Sequence, residues 1–388
     1  MMTKHSIATA LAIATLALLA ACAGAPDARD APATPTPAPA ADPLAAYPPL
    51  PAAPLPGASP AARQFATSLG RGVNFGNMLD APTEGAWDLR VDDRYVALVG
   101  DASGTGGWGN AERVRSVRLP VRWSNHAGVD AQAAIDPVFM ARVDDVVQRL
   151  LARGVPVVLD MHHYRQLDGD TLDAGEKPVA DAVVEQRFLS MWRQIAEHFR
   201  DAPAGLAFEL YNEPHGRLTD HWNELASRGV RVVRQSNPHR VVVVGPTQWN
   251  SARGLGVFVM PPDADLVLTV HHYDPFAFTH QGAPWIKPEM PKGVSWGSAQ
   301  QLADVRGPLD IAQQWGKTHG YPVFVGEFGA FDTVATADRV KYTRTIRDEM
   351  ESRGMTWTYW ELAGGFGFYD PVAGAVRNDG LADALFGP

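Results

Sequence analysis

From Gln64 onward the chain switches repeatedly between two hydrophobic periods. Short β-branched runs, apolar at alternate or successive positions, are followed by stretches with apolar residues three and four apart. The runs predict strands at GVNFGN (72–77), SVRLPV (116–121), VPVVLDMHH (155–163), GLAFELYN (205–212), RVVVVGP (240–246), DLVLTVHHY (265–273), YPVFVGE (321–327) and MTWTYWE (355–361). The other period predicts helices over Pro137–Ala152, Ala182–Phe199, Trp222–Gln235, Ala299–Gly316 and Ala337–Ser352. A β-then-α rhythm implies parallel strands, and eight of them close a barrel. The predicted fold class is therefore α/β: a single (β/α)8 catalytic domain over 63–388. An open doubly wound sheet is the alternative, but its Gly-rich turn after the first strand (GxGxxG) is missing from the sequence.

One strand ends oddly. In LAFELYNEPHG (206–216) an apolar run stops on Asn212-Glu213-Pro214, although burying an unpaired carboxylate costs several kcal/mol. Residues two apart in a strand share a face. Parity thus puts Glu209, Tyr211 and Glu213 on one side and Leu206, Phe208 and Leu210 on the other. Asp160 shares a face with His162; Thr269, His271 and Tyr273 share another; Arg118 goes with Ser116, and Glu327 with Val323 and Val325. Polar side chains thus gather near the C-terminal ends of strands, where a barrel carries its active site.

Glu213 and Glu327 are the candidate catalytic pair. Cleaving a glycosidic bond needs one carboxylic acid to protonate the leaving oxygen and one carboxylate to attack or to activate water, with environments that separate their pKa values. Arg118 can hold one of them ionised, or can pair with Glu209 or Asp160. Tyr273 can donate to that carboxylate, Asn212 can hold a sugar hydroxyl, and Trp360 offers a flat face to a pyranose. Glu327, as a close like charge, is the first candidate for raising the Glu213 pKa.

The motifs LYNEP, VGEFG, VRLPVRW, LDMHHY, HHYDPF and WELAGGFGFYD, with GVNFGNMLDAP at the first strand, resemble glycoside hydrolase family 5, the cellulase family of clan A. The resemblance implies a (β/α)8 barrel and a retaining double displacement without metal or other cofactor, with Glu213 as acid/base and Glu327 as nucleophile. It implies a supporting and substrate-binding set of Arg118, the first His of each HHY run (His162 and His271), Asn212, Tyr273 and Trp360; His163 and Asn77 are further supporting candidates. FTHQGAPW adds Trp285 as the first candidate for a subsite tryptophan; Trp249 and Trp296 are further candidates. The implied function is an endo-β-1,4-glucanase acting on cellulose or mixed-linkage β-glucan, with a β-mannanase or an exo-acting β-glucanase as alternatives on the same catalytic set. For a retaining pair the carboxyls stand about 5–5.5 Å apart. Two segments depart from the pattern: DDRYVALVGDASGTGGWGNAERV lacks a clear amphipathic helix, and NDGLADALFGP leaves room for only a short last one.

Three other readings compete. Two HH pairs with two glutamates suggest a metal, yet adjacent strand residues face opposite ways and no HExxH occurs. GVSWG (293–297) matches the G-x-S-x-G of serine hydrolases, but a Pro-rich loop precedes Ser295 where that motif needs a strand. A non-catalytic sugar-binding lipoprotein would be expected to have lost one carboxylate, and both are present.

Composition alters the picture mainly at the N-terminus. The chain has 388 residues and a net charge of −9, which argues against a nucleic-acid partner. An apolar run from Ile7 to Ala21 suits a secretory signal (1–21) and is short for a membrane span. It ends in Leu19-Ala20-Ala21-Cys22, which resembles a lipobox, with Cys22, the sole cysteine, as the lipidated residue. No intramolecular disulfide can therefore form. Residues 22–62, rich in Ala and Pro, read as a semi-rigid polyproline II spacer. The expected product is an exported outer-membrane lipoprotein or a secreted protein, monomeric, whose partners are a β-glucan and the membrane lipid at Cys22.

Overall fold

The computed structural model describes residues 44–100, 114–173 and 175–388. Eight parallel strands form a closed barrel in chain order: β1 (Arg71–Asn74), β2 (Ser116–Val121), β3 (Val157–Met161), β4 (Leu206–Glu209), β5 (Val242–Val244), β6 (Leu266–His271), β7 (Val323–Glu327) and β8 (Thr356–Tyr359). A two-stranded hairpin of β9 (Tyr369–Asp370) and β10 (Ala375–Val376) follows the barrel. The helices are α1 (Pro60–Leu69), α2 (Asp93–Leu98), α3 (Pro137–Ala152), α4 (Arg165–Asp168), α5 (Val184–His198), α6 (Trp222–Arg234), α7 (Phe276–Thr279), α8 (Ala299–His319), α9 (Thr336–Ser352) and α10 (Leu381–Phe386).

The (β/α)8 expectation holds strand for strand, with most predicted runs trimmed at one or both ends because their last residues turn into loops. The helix boundaries follow local chemistry. Asp136 caps α3 by accepting from the Val138 N–H, with Pro137 set for the first turn. Ser298 and Gln301 form a reciprocal capping box on α8, which ends at Gly320 with φ +76. Between β1 and β2 the only helix among the described residues is the six-residue α2; residues 101–113 lie outside them.

The barrel interior is layered. Strand register aligns Asn74, Arg118, Val158 and Ala207 in one layer, and Pro120, Asp160, Glu209 and Val243 in the next toward the C-terminal ends. Ala62, Phe65, Ala66 and Leu69 of α1 pack with Val158, Ala207, Val243, Val267 and Phe324, closing the N-terminal mouth with apolar side chains. A dry plug at one end leaves only the other for polar chemistry.

Residues 44–59, read from their Pro and Ala content as spacer, instead lie on the barrel. Arg228 donates to the carbonyls of Leu44 and Tyr47 at 2.8 and 2.7 Å, and Arg231 to Pro49 at 2.8 Å. The Tyr47 hydroxyl meets Ser190 at 2.9 Å. Proline carbonyls keep their acceptor capacity without a ladder, and arginines on α6 supply the donors. Cys22 and the expected signal lie outside the described residues. Among the described residues no helix is long and apolar enough to cross a membrane.

Candidate active site

Arg118 is the organising charge. It is fully buried at the centre of the barrel, and all five of its N–H groups are used. Nε and Nη2 donate to the two oxygens of Glu209 at 2.8 and 2.9 Å. Nη2 also donates to Asn212 Oδ1 at 2.9 Å, while Nη1 donates to Asn74 Oδ1 at 3.0 Å and Glu327 Oε1 at 2.8 Å. Asp160 Oδ2 lies 3.0 Å from Nη2. An ion buried this deeply is tolerated only when fully paired, and the pairing spans β1, β2, β3, β4 and β7.

Glu327, the last residue of β7, receives Arg118 on Oε1 and the Tyr273 hydroxyl on Oε2, each at 2.8 Å. Glu213 has a different setting. Its Oε1 meets His271 Nδ1 at 2.8 Å, and burial holds that imidazole down to about 4, hence neutral. Carboxylate oxygens of Glu213 and Glu327 lie within 4.8 Å of each other and of a His271 nitrogen. Burial pushes both carboxyls up to about 7. Two carboxyls so close hold one proton between them most stably. The anion belongs on Glu327, which has a cation and a phenol as donors, and the proton on Glu213. An acid and an anion facing one small gap can protonate a leaving oxygen and attack an electrophilic carbon.

Residues 110–365 match the family model for cellulase, glycosyl hydrolase family 5. The chain belongs to glycosyl hydrolase family 5. Endoglucanase H of Acetivibrio thermocellus is 32% identical over 332 residues, which is 84% of this chain but 33% of that protein. The chain thus spans about a third of that relative's length. An endoglucanase, Cel5A of Thermotoga maritima, solved with cellobiose, is 34% identical with a TM-score of 0.76, covering 84% of this chain and 100% of that one. A hyperthermophilic endo-β-1,4-glucanase solved with substrate is 32% identical, with the same TM-score, over 84% of this chain and 99% of that one.

The family 5 chain collects most of its sequence-predicted residues at this end of the barrel. His162 Nδ1 meets Asp160 Oδ2 at 2.6 Å, and its ring lies parallel to Trp360 at 5.6 Å. Trp360 in turn covers Gly76, where a Cβ would stand 2.7 Å from the indole, so only glycine admits the ring. His163 stands edge-on to His162 at 4.1 Å and to Trp87 at 5.9 Å. Asn77 has φ +63 and donates its N–H to Asp80 at 3.0 Å. With Asn212 Oδ1 held by Arg118, its NH2 group is what it can offer a bound molecule. Trp285 is 54% exposed beside Phe331, and Trp249 is 56% exposed and stacked on His215 at 4.7 Å. Trp296 does not join them: it packs on Phe278 and Tyr342 at 5.4 and 5.0 Å.

Two expectations are corrected. Strand parity fails after Glu209, where β4 ends. Tyr211 turns outward against Phe188 and Trp222, and its hydroxyl donates to Asp168. Glu213 reaches the gap through a left-handed backbone, φ +53, rather than by alternation. The first cause of its raised pKa is burial rather than a like charge; Glu209 adds to it, and Glu213 and Glu327 repel each other when both are ionised.

Sequence reasoning passed over Asp80 and Glu361. Both are buried, and burial pushes them up to about 6 and 8. Each sits in a loop just past a strand, where no periodicity points to it; the only signal was an acid inside an otherwise apolar stretch (NMLDAP, YWELAG). The competing readings also meet geometry. A cation among Glu213, His271 and Glu327 would lie beside the Arg118 guanidinium, 2.8 Å from Glu327. Ser295 sits in a loop that runs from α7 into α8, with no strand before it.

Proposed function

We propose that the chain is a retaining glycoside hydrolase that cleaves internal β-1,4 bonds of a glucan. The observation that carries this reading is the close approach of Glu213 and Glu327 with unequal anion support. The spacing suits direct attack rather than the roughly 6.5–9.5 Å gap that holds a water in inverting enzymes. In the first step Glu327 Oε attacks the anomeric carbon while the Glu213 proton passes to the leaving glycosidic oxygen. A glycosyl ester on Glu327 and a sugar with a free hydroxyl result. In the second, Glu213, now ionised, takes a proton from water as its oxygen attacks the same carbon and frees Glu327. Tyr273 and Arg118 disperse the Glu327 charge before attack and after release. Trp360, His162 and Asn212 border the gap on the side where a pyranose would lie.

Glucan is favoured by the relatives, which include an endoglucanase and an endo-β-1,4-glucanase. Cel5A of Thermotoga maritima was also solved with mannotriose, which keeps β-mannan as a second substrate. The lipobox-like Leu19–Cys22 supports export and anchoring through Cys22, a reading that palmitate labelling lost in Cys22→Ala would support and labelling retained in Cys22→Ala would exclude.

Glu327→Ala and Glu213→Ala should each lower kcat on carboxymethylcellulose or barley β-glucan by three or more orders of magnitude, with the fold kept. Azide should restore Glu213→Ala on an aryl β-cellobioside and give the β-glycosyl azide. Near-normal turnover by either variant, or an α-azide product, defeats the assignment.

A further inference from the structure

Glu213 is held at both ends by an imidazole. His271 Nδ1 meets its carboxyl at 2.8 Å, and His215 Nδ1 meets its backbone carbonyl at 2.6 Å. A carbonyl oxygen only accepts, so the second contact needs the proton on Nδ1. Among the described residues no other hydrogen bond reaches that carbonyl. The backbone there needs holding. Glu213 has φ +53 although it is not glycine, and it precedes Pro214, whose ring narrows the conformations open to it. Such a backbone persists only when its surroundings over-determine it. The His215 ring is itself fixed. It stacks on Trp249 with centroids 4.7 Å and planes 19° apart, and its Nε2 stands 3.3 Å from Asp170 Oδ2. Asp168 Oδ1 lies 3.6 Å from Nδ1. Gly216, φ +52, brings the chain so close to α4 that a Cβ there would stand 2.4 Å from the Asp168 carbonyl oxygen. The Trp249 N–H donates to the Pro214 carbonyl at 3.4 Å.

We propose that His215 is a positioning residue for the acid: its Nδ1–H, donated to the Glu213 carbonyl, holds the left-handed turn that aims the Glu213 carboxyl at the leaving oxygen. This rests on the acid role given to Glu213. The direction of a Cα–Cβ bond follows φ, so a return to negative φ swings the carboxyl away from its gap with Glu327. The His271 contact fixes only one oxygen at the end of a flexible side chain. Glu327 is held independently, by Arg118 and Tyr273 at 2.8 Å each. Loss of the His215 donor therefore impairs proton delivery and leaves the nucleophile in place. The leaving group separates the two: a dinitrophenolate departs without a proton, and a sugar alkoxide does not.

The test compares kcat/KM on cellotetraose with kcat/KM on 2,4-dinitrophenyl β-cellobioside, since both report the first bond cleavage. His215→Phe keeps a ring for Trp249 and loses the donor. It should lower the cellotetraose value by about tenfold or more and the dinitrophenyl value by less than about threefold. His215→Asn, whose amide nitrogen can take the place of Nδ1, should recover most of that loss. An equal fall on both substrates, an unchanged cellotetraose value, or an Asn variant no better than the Phe variant overturns the proposal. If His215→Phe does not fold, His215→Ala carries the same expectation; failure of both to fold makes the contact structural and overturns the proposal too. Failure of the functional reading itself would look different, as a parent chain inactive on both substrates or a Glu213→Ala variant with no dependence on the leaving group. Failure of this proposal alone leaves Glu213→Ala selective between the substrates and His215→Phe not.

Discussion

Two buried arginines at opposite ends of one barrel carry opposite kinds of company. Arg118 sits toward the C-terminal ends among Asp160, Glu209 and Glu327. Arg240 sits at the N-terminal end, just before β5, and donates to the carbonyls of Phe199, Ala202, Pro203 and Leu206 and to the amide oxygen of Asn237. Burial lowers the Arg240 pKa, and no acid is among those acceptors to offset it; three acids hold the Arg118 pKa well up despite burial. The acids divide likewise. Near Arg118, burial pushes Glu213 and Glu327 upward, whereas the Arg234 fork on Asp263, at 2.7 and 2.8 Å, holds that carboxyl down despite its burial. One end satisfies charge with fixed dipoles or a bidentate pair, which builds structure. The other crowds acids around one cation, so protons are left mobile at neutral pH.

The sharpest way to break this contrast is to remove each guanidinium. Arg118→Met leaves three carboxylates without their cation, and should cost about 3–5 kcal/mol of stability and at least three orders of magnitude in kcat/KM. Arg240→Met leaves only carbonyls unpaired, and should cost about 2–3 kcal/mol with kcat/KM per folded molecule unchanged. Urea melts and active-site-normalised kinetics measure both. A tenfold fall in kcat/KM for folded Arg240→Met would show that the two ends are not functionally separate.

A smaller effect sharpens the electrostatic side. Asp80, Asp160, Glu213, Glu327 and Glu361 are pushed up to about 6, 7, 7, 7 and 8. The folded chain therefore holds protons that the unfolded chain has already lost, and stability falls as pH rises through those values. Below pH 6.5 buried histidines such as His271, His272 and His280, held down to about 4, act in the opposite sense, because the unfolded chain then binds protons the fold cannot. The clean window is thus pH 6.5 to 8.5. There the urea midpoint should fall, and Glu361→Gln should flatten the slope by up to about 1.4 kcal/mol per pH unit. A midpoint that rises with pH across the window would contradict the raised carboxyls.

The barrel was legible because each strand is a β-branched run between helical periods, and the period survives whatever the loops do. Arg118, Asp160 and Glu209 were legible by parity because all three lie inside regular strands. Glu213 was found by its NEP motif, but parity gave the wrong account of how it arrives: β4 ends at Glu209, and a left-handed residue completes the turn. Asp80 and Glu361 were missed because loop geometry has no period. Residues 44–59 were misjudged because Pro and Ala content describes a chain with nothing to hold it, whereas Arg228 and Arg231 of α6 supply donors that composition does not show.

The smallest predicted effect tests where regular parity stops. If Tyr211 faced the interior beside Glu209 and Glu213, deleting its hydroxyl would disturb the acid and lower kcat/KM. In the structure the ring instead lies against Phe188 and Trp222, and the hydroxyl donates to Asp168 and to the Tyr164 carbonyl, outside the barrel wall. Asp168 is buried, and burial already pushes its pKa well up, so the lost donor removes support from a carboxyl that is poorly solvated. Tyr211→Phe should therefore cost about 1 kcal/mol in a urea melt and leave both limbs of the pH profile where they are. A profile that moved while stability stayed constant would put Tyr211 back on the catalytic face, and the strand would have to run on past Glu209.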